Sequence, residues 1–249
     1  MKKLIWLLLL GVNGFMAPLQ ATTPIVLITD SKVLAIPIQD NEEPLIDLRS
    51  QTEIAYGPSP EIPNNTDYTK IRRTVYEKLK AAQALLPQGL KLCLYEGYRS
   101  YALQKKLFDH RFKEIQKANP TLSHEALFIE TTKFVSPVVN LDGSPNVPAH
   151  NTGGAVDVYL INHQGEAIEM GASLSDLSTD LNGERSKTNS TTISSAAQHY
   201  RKIMGKALTA VGFVNYPTEF WHWSYGDRYW AFHTQQPYAL YGTPKSHSD

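Results

Sequence analysis

The 249 residues carry 24 Lys+Arg against 24 Asp+Glu and one cysteine. Balanced charge leaves no basic footprint for nucleic acid, and a lone thiol excludes an internal disulfide. The length suits a single domain with an ample core.

Lys2 and Lys3 precede an apolar run from Leu4 to Val12, and Leu19-Gln20-Ala21 closes that segment. This is the pattern of a signal peptide cleaved after Ala21. The run is short of the roughly 20 residues that a membrane span requires, and no lipoprotein cysteine follows it. The expectation is an exported, periplasmic protein with residues 1–21 as leader and 22–249 as one domain, its oligomeric state left open.

Residues 26–63 read as short strands and loops punctuated by Pro58, Pro60 and Pro63. Thr66 or Asp67 then caps a predicted helix whose buried stripe is Ile71, Val75, Leu79, Ala82 and Leu86, stopped by Pro87 and Gly89. On that helix Lys70, Arg72, Arg73 and Lys78 are expected to form the solvated face. Leu90 to Tyr95 reads as a strand with Arg99 at its exit. Ser100 caps a second helix through Leu103, Leu107, Phe112 and Ile115, and residues 123–134 form a third. Cys93, between two leucines, reads as a buried small hydrophobe.

Ala155 to Ile161 is β-branched and alternating, the pattern of a strand. Asn162 to Ile193 is polar and lacks periodicity; a long loop of this kind inside a domain is often a lid or binding loop, and it is expected to cover part of the site. Ser194 or Ser195 starts a last helix through Ile203, Ala207 and Val211, ended by Gly212. Strands and helices without strict alternation predict an α+β fold: a central, mostly antiparallel sheet with helices packed on it and an active-site cleft at the sheet.

His150, Gly153, Gly154 and Asp157, followed by Glu219 and His222, carry the chemistry. Zinc takes imidazole nitrogen and carboxylate oxygen, and a catalytic site keeps three protein ligands and one position for water. His150, Asp157 and His222 are the candidate ligands, with His233 as the alternative. Glu219, three residues before the last ligand, is the candidate general base. His150 and Asp157 are seven residues apart, so on one straight strand they would point to opposite faces. A turn at Gly153-Gly154 is therefore required. Alternation in Trp221-His222-Trp223-Ser224-Tyr225 sets the aromatics on one face and His222 with Ser224 on the other. Glu219 has the parity of the aromatics and must precede the regular strand.

His-x-x-Gly-x-Ala-x-Asp, met at His150, Gly153, Ala155 and Asp157, followed by Glu-x-x-His, resembles the signature of the zinc D-alanyl-D-alanine dipeptidases and the related D,D-carboxypeptidases. Tyr95-Glu96-Gly97-Tyr98-Arg99-Ser100 is similar to that family's Gly-Tyr-Arg block, and Gln236 to Gly242 resembles the dipeptidase branch. The resemblance implies one zinc per subunit, hydrolysis of a small D,D-dipeptide, and Arg99 as the stabiliser of the tetrahedral intermediate. It also implies an acidic reader of the substrate's amine, matched by Asp176 after Met170-Gly171, with Asp180 as the fallback. This chain departs from the pattern at Pro148, where serine is usual, at Glu96, where aspartate is common, and in Ala172 to Asp176. Two other readings share the residues: a peptidoglycan D,D-carboxypeptidase or endopeptidase, and a zinc-containing binding protein without turnover.

Overall fold

The computed structural model describes residues 24–58, 62, 64–172 and 180–245. The predicted leader and Asp176 lie outside the described residues. In chain order the elements are α1 (Ser31–Leu34), β1 (Leu45–Asp47), β2 (Ala55–Tyr56), β3 (Lys70–Arg72), α2 (Arg73–Ala84), β4 (Lys91–Glu96), α3 (Tyr101–Ala118), α4 (His124–Thr132), β5 (Ala155–Ile161), α5 (Ser195–Ala210), β6 (Val214–Asn215), β7 (His222–Ser224) and α6 (Arg228–His233). Five strands form the central sheet in the order β2-β4-β5-β7-β6. Its β4–β5, β5–β7 and β6–β7 pairs are antiparallel and its β2–β4 pair is parallel. The fold is α+β, as the unalternating element order predicts.

One face of the sheet makes the core. Val75, Leu79 and Ala82 of α2 and Met204, Ala207 and Leu208 of α5 pack with Leu92 and Leu94 of β4 and Val156, Val158 and Leu160 of β5. Each fully buried aliphatic side chain contributes about 1.5–3 kcal/mol. The two-residue period that turns Val156 and Val158 into this core turns Asp157 to the opposite face. Cys93 is buried, with its Sγ 3.1 Å from Tyr159 Oη, and burial pushes its thiol up.

On the opposite side α3 and α4 pack together through rings such as Phe108 and Phe128, 5.2 Å apart. The C-terminal end of α4 is tied to the β6–β7 connection: Tyr216 Oη donates to Thr132 O at 3.0 Å and Thr218 Oγ1 to Lys133 O at 2.7 Å. Ser100 and Ser194 cap α3 and α5 through their hydroxyls, which accept from Leu103 N at 3.3 Å and Ala197 N at 3.0 Å, as the cap rule predicts.

The first predicted helix is corrected at its start. Residues 67–69 form a 3₁₀ turn, Lys70–Arg72 is a strand paired with β1, and α2 begins only at Arg73. Ile71 is buried from that strand, so it belongs to the same core as Val75 without sharing its helix. The solvated face assigned to Lys70, Arg72, Arg73 and Lys78 fails at Arg72, which is 1% exposed. Its Nε donates to Thr152 O at 2.7 Å, Nη2 to Gly242 O at 2.8 Å and Nη1 to Glu43 O. Asp40 lies 3.6 Å away and the Tyr241 ring 5.0 Å. Lys78 also turns inward, its Nζ donating to Val211 O at 2.8 Å.

Arg72→Leu is therefore expected to cost about 3–5 kcal/mol, because breaking a buried, hydrogen-bonded charge strands its partners. Denaturant unfolding checks this, and a loss below about 1 kcal/mol would contradict it.

Among the described residues, 162–172 and 180–193 contain no helix or strand. Arg201 of α5 fastens this loop, donating to Met170 O at 2.6 Å, Lys187 O at 2.7 Å and Arg185 O at 2.8 Å.

Candidate active site and metal centre

The sheet register builds the site. Asp157 of β5 sits opposite His222 of β7 on one side and Glu96 of β4 on the other. Directly opposed cross-strand residues share a face, so pairing alone puts Asp157 and His222 together. His222 Nδ1 lies 3.2 Å from Asp157 Oδ1. His150 arrives from the 3₁₀ turn Ala149–Thr152, which ends at Gly153 with φ 70°. That left-handed conformation favours glycine, and a Cβ at Gly153 would also press on the Leu45 side chain, 2.4 Å from Cδ2. The turn demanded by the seven-residue spacing is present, and it brings His150 Nε2 to 3.4 Å from Asp157 Oδ2 and 3.1 Å from His222 Nδ1. One donor atom from each of the three residues falls within 4.8 Å of the others.

The hydrogen-bond partners orient both rings. His150 Nδ1 is 2.9 Å from the Gly97 carbonyl. A carbonyl only accepts, so Nδ1 carries the proton and Nε2 presents its lone pair to the cluster. Gly97 itself packs against the 68–70 backbone, where a Cβ would meet Lys70 O at 2.6 Å and Tyr68 O at 2.7 Å. On the other ring, His222 Nε2 faces Ser224 Oγ at 3.4 Å, which leaves Nδ1 on the side of Asp157. Burial lowers the pKa of His150 and favours the neutral ring. Burial pushes Asp157 up, but His150 and His222 beside it outweigh that effect and hold it below the usual carboxylate range. Asp157 Oδ1 is buried and accepts no hydrogen bond from any described residue. Imidazole nitrogens, one of them firmly assigned as a lone pair, together with an ionised carboxylate short of partners fit a zinc ion.

Glu219 lies in the turn before β7, its N–H donating to Tyr216 O at 2.9 Å. This turn resolves the parity conflict and aims the carboxylate at the cluster, with Oε2 3.9 Å from His222 Nδ1. Burial, then the negative charge of Asp157, push the Glu219 carboxyl well above its usual range, while Arg99 and Arg111 pull it down. Arg99 leaves β4 and is bound to the His150 turn twice: its N–H donates to His150 O at 3.2 Å, and Asn151 Nδ2 donates to Arg99 O. Its Nη1 donates to Gln104 Oε1 at 3.0 Å, and Nη2 lies 3.8 Å from Glu96 Oε2. Arg99, Gln104, His150, Asp157, Glu219 and His222 all line one cavity of about 300 Å³.

The remaining candidates fall elsewhere. His233 sits on α6 against Tyr229, ring centroids 4.4 Å apart, and does not join the cluster. Asp180 is engaged within its own loop: Oδ2 accepts from Ser186 N at 2.8 Å and Ser186 Oγ at 2.7 Å, and Oδ1 from Arg185 N at 3.2 Å. No described residue of the 162–193 loop lines the cavity. The loop does reach the Glu219 turn, where Phe220 N donates to Ser186 O at 3.0 Å. Sequence reasoning missed Gln104 and the Gly97 carbonyl. Ser224 was legible as the residue sharing the face of His222; a carbonyl leaves no side-chain signal.

Residues 64–241 match the family model described as D-ala-D-ala dipeptidase, peptidase M15. The D-alanyl-D-alanine dipeptidase of Synechocystis sp. (strain ATCC 27184 / PCC 6803 / Kazusa) is 29% identical over 227 residues, covering 82% of this chain and 90% of the relative. That of Escherichia coli (strain K12) is 27% identical over 134 residues, 54% of each. The solved structure of VanYB in complex with D-alanine-D-alanine has 16% identity and a TM-score of 0.39, covering 80% of this chain and 91% of that one. With the family model spanning most of its length, the chain belongs to the peptidase M15 family of D-ala-D-ala dipeptidases, and it is a zinc metallopeptidase that hydrolyses D,D-peptide bonds.

Proposed function

We propose that the chain is a dipeptidase that hydrolyses free D-alanyl-D-alanine to D-alanine, with zinc held by His150, Asp157 and His222. The observation that carries the hydrolytic chemistry is the convergence of those three donors, all within 4.8 Å of one another, with Glu219 beside them at 3.9 Å from His222, and the similarity to D-alanyl-D-alanine dipeptidases supports the dipeptide as substrate. Zinc held there would supply a Lewis acid that activates water, whose pKa such a metal brings toward about 7. Glu219 is the base that accepts the proton of the attacking water and returns it to the leaving amine. A buried carboxyl with a raised pKa suits both halves of that task. Arg99, clamped by Gln104 and Glu96, points a permanent charge at the oxygen that becomes negative as the carbonyl is attacked. The shared backbone bonds between Arg99 and the His150 turn keep that charge in register with the metal. Asp176 is assigned to the substrate's ammonium, since Asp180 is committed to its own loop. The leader pattern in 1–21 supports export to the periplasm, with 22–249 as the catalytic domain.

The carboxypeptidase alternative uses the same catalytic groups and differs in what lies beyond the scissile bond. A dipeptidase reads an ammonium, and a blocked amine leaves the acidic reader buried and unpaired, at about 1–3 kcal/mol. D-alanyl-D-alanine is expected to exceed its N-acetylated form and a pentapeptide ending in the same pair by roughly 10- to 100-fold in kcat/KM. Comparable rates on all three would select the carboxypeptidase. Among the described residues no helix is long and apolar enough to cross a membrane.

A further inference from the structure

The cavity holds a second guanidinium that the catalytic roles leave without a task. Arg111 of α3 is buried, and its guanidinium carbon lies 4.3 Å from the centroid of the Phe134 ring. Its Nη1 pairs with Glu114 Oε2 at 3.2 Å. Both side chains line the cavity that contains His150, Asp157, Glu219 and His222. Leu103, Leu107, Arg111 and Ile115 follow one another at four-residue spacing on α3. That stripe is where packing calls for an aliphatic side chain. A charge is costly to bury there unless it is used.

We propose that Arg111 is a specificity-determining residue that binds the terminal carboxylate of the substrate. The inference rests on the D,D-dipeptidase reading above and names the reader that reading lacks. Pro148, which also lines the cavity, offers no hydroxyl for a carboxylate. The amine released on cleavage is one carbon from that carboxylate, and Glu219 is the group that protonates it. The reader must therefore stand on the Glu219 side of the site. The charge of Arg111 is felt at Glu219 together with that of Arg99. Arg99 is clamped by Gln104 and Glu96, which leaves the leaving-group side to Arg111. A planar guanidinium matches a carboxylate in two parallel hydrogen bonds, and Phe134 and Glu114 fix its plane.

The test compares D-alanyl-D-alanine with its C-terminal amide on the zinc-loaded protein. A buried charge pair broken on one side is expected to lower kcat/KM at least about 30-fold for the wild-type protein on the amide. In Arg111→Gln the free acid should fall by a similar factor, mainly through KM, while the amide falls much less and zinc content stays near wild type. Arg111→Lys should recover part of the preference for the acid. Glu114→Gln, which removes a competing negative charge while its amide oxygen can still accept from Arg111 Nη1, should lower KM for the acid alone; it keeps the proposal testable should the Arg111 variants not fold, and an unchanged KM for the acid would overturn it. Equal turnover of acid and amide by the wild type, or an equal loss on both substrates in Arg111→Gln, overturns the proposal. Failure of the dipeptidase reading looks different: the wild type cleaves the pentapeptide at least as fast as the free dipeptide. Acid and amide forms of that pentapeptide then test Arg111 in the same way.

Discussion

Glu219→Gln is expected to reduce kcat by about 10²- to 10⁴-fold, the range for losing a positioned general acid–base, while zinc stoichiometry and melting temperature stay near wild type. Glutamine keeps the shape of the side chain and removes its ability to carry a proton. Glu219 stands beside the cluster, 3.9 Å from the nearer ring of His222, and not among its three donors. The variant also relieves a conflict: a buried carboxyl next to Asp157 is held well above its usual pKa by burial and by that neighbour's charge. Normal turnover in the glutamine variant, measured with zinc content determined on the same sample, would remove Glu219 from the chemistry.

Removing the metal is expected to have the other large effect. Chelation should abolish hydrolysis, and stoichiometric zinc should restore it. The apo protein should unfold more readily by about 2.7 kcal/mol relative to protein at a zinc concentration 100-fold above Kd. His222→Ala should lose both activity and tight zinc binding, because it removes one of three donors and leaves Asp157 with a single imidazole partner. His233→Ala should bind zinc normally, since His233 packs on Tyr229 away from the cluster. Full occupancy in His222→Ala would reverse these assignments.

The sequence made the metal site legible because its parts obey short-range rules. Alternation put Asp157 and His222 on faces opposite to apolar core residues, and an odd spacing demanded the glycine turn that carries His150. The caps at Ser100 and Ser194 were readable for the same reason. Arg72 was not. A four-residue recurrence from Ile71 to Leu79 looks helical from any strand-to-helix junction that buries both ends, and the partners of the guanidinium come from Glu43, Thr152 and Gly242. Gln104 and Arg111 were obscured similarly, since their meaning depends on the approach of residues 134–136 to α3. Arg111 did leave a trace as the charged member of an apolar stripe. Asp176 belongs to the part of the chain outside the described residues, so its assignment rests on the sequence pattern.

The two imidazoles differ in how they are held, and this gives them unequal exposure to genetic change. His150 is oriented by a peptide carbonyl, that of Gly97. No codon change can delete a carbonyl, and the crowded space at Gly97 blocks side chains that would displace it. His222 faces a serine hydroxyl instead, which one nucleotide substitution can remove. Variation in zinc affinity among descendants of this chain should therefore enter through position 224, with the His150 side of the cradle acting as the inherited constant.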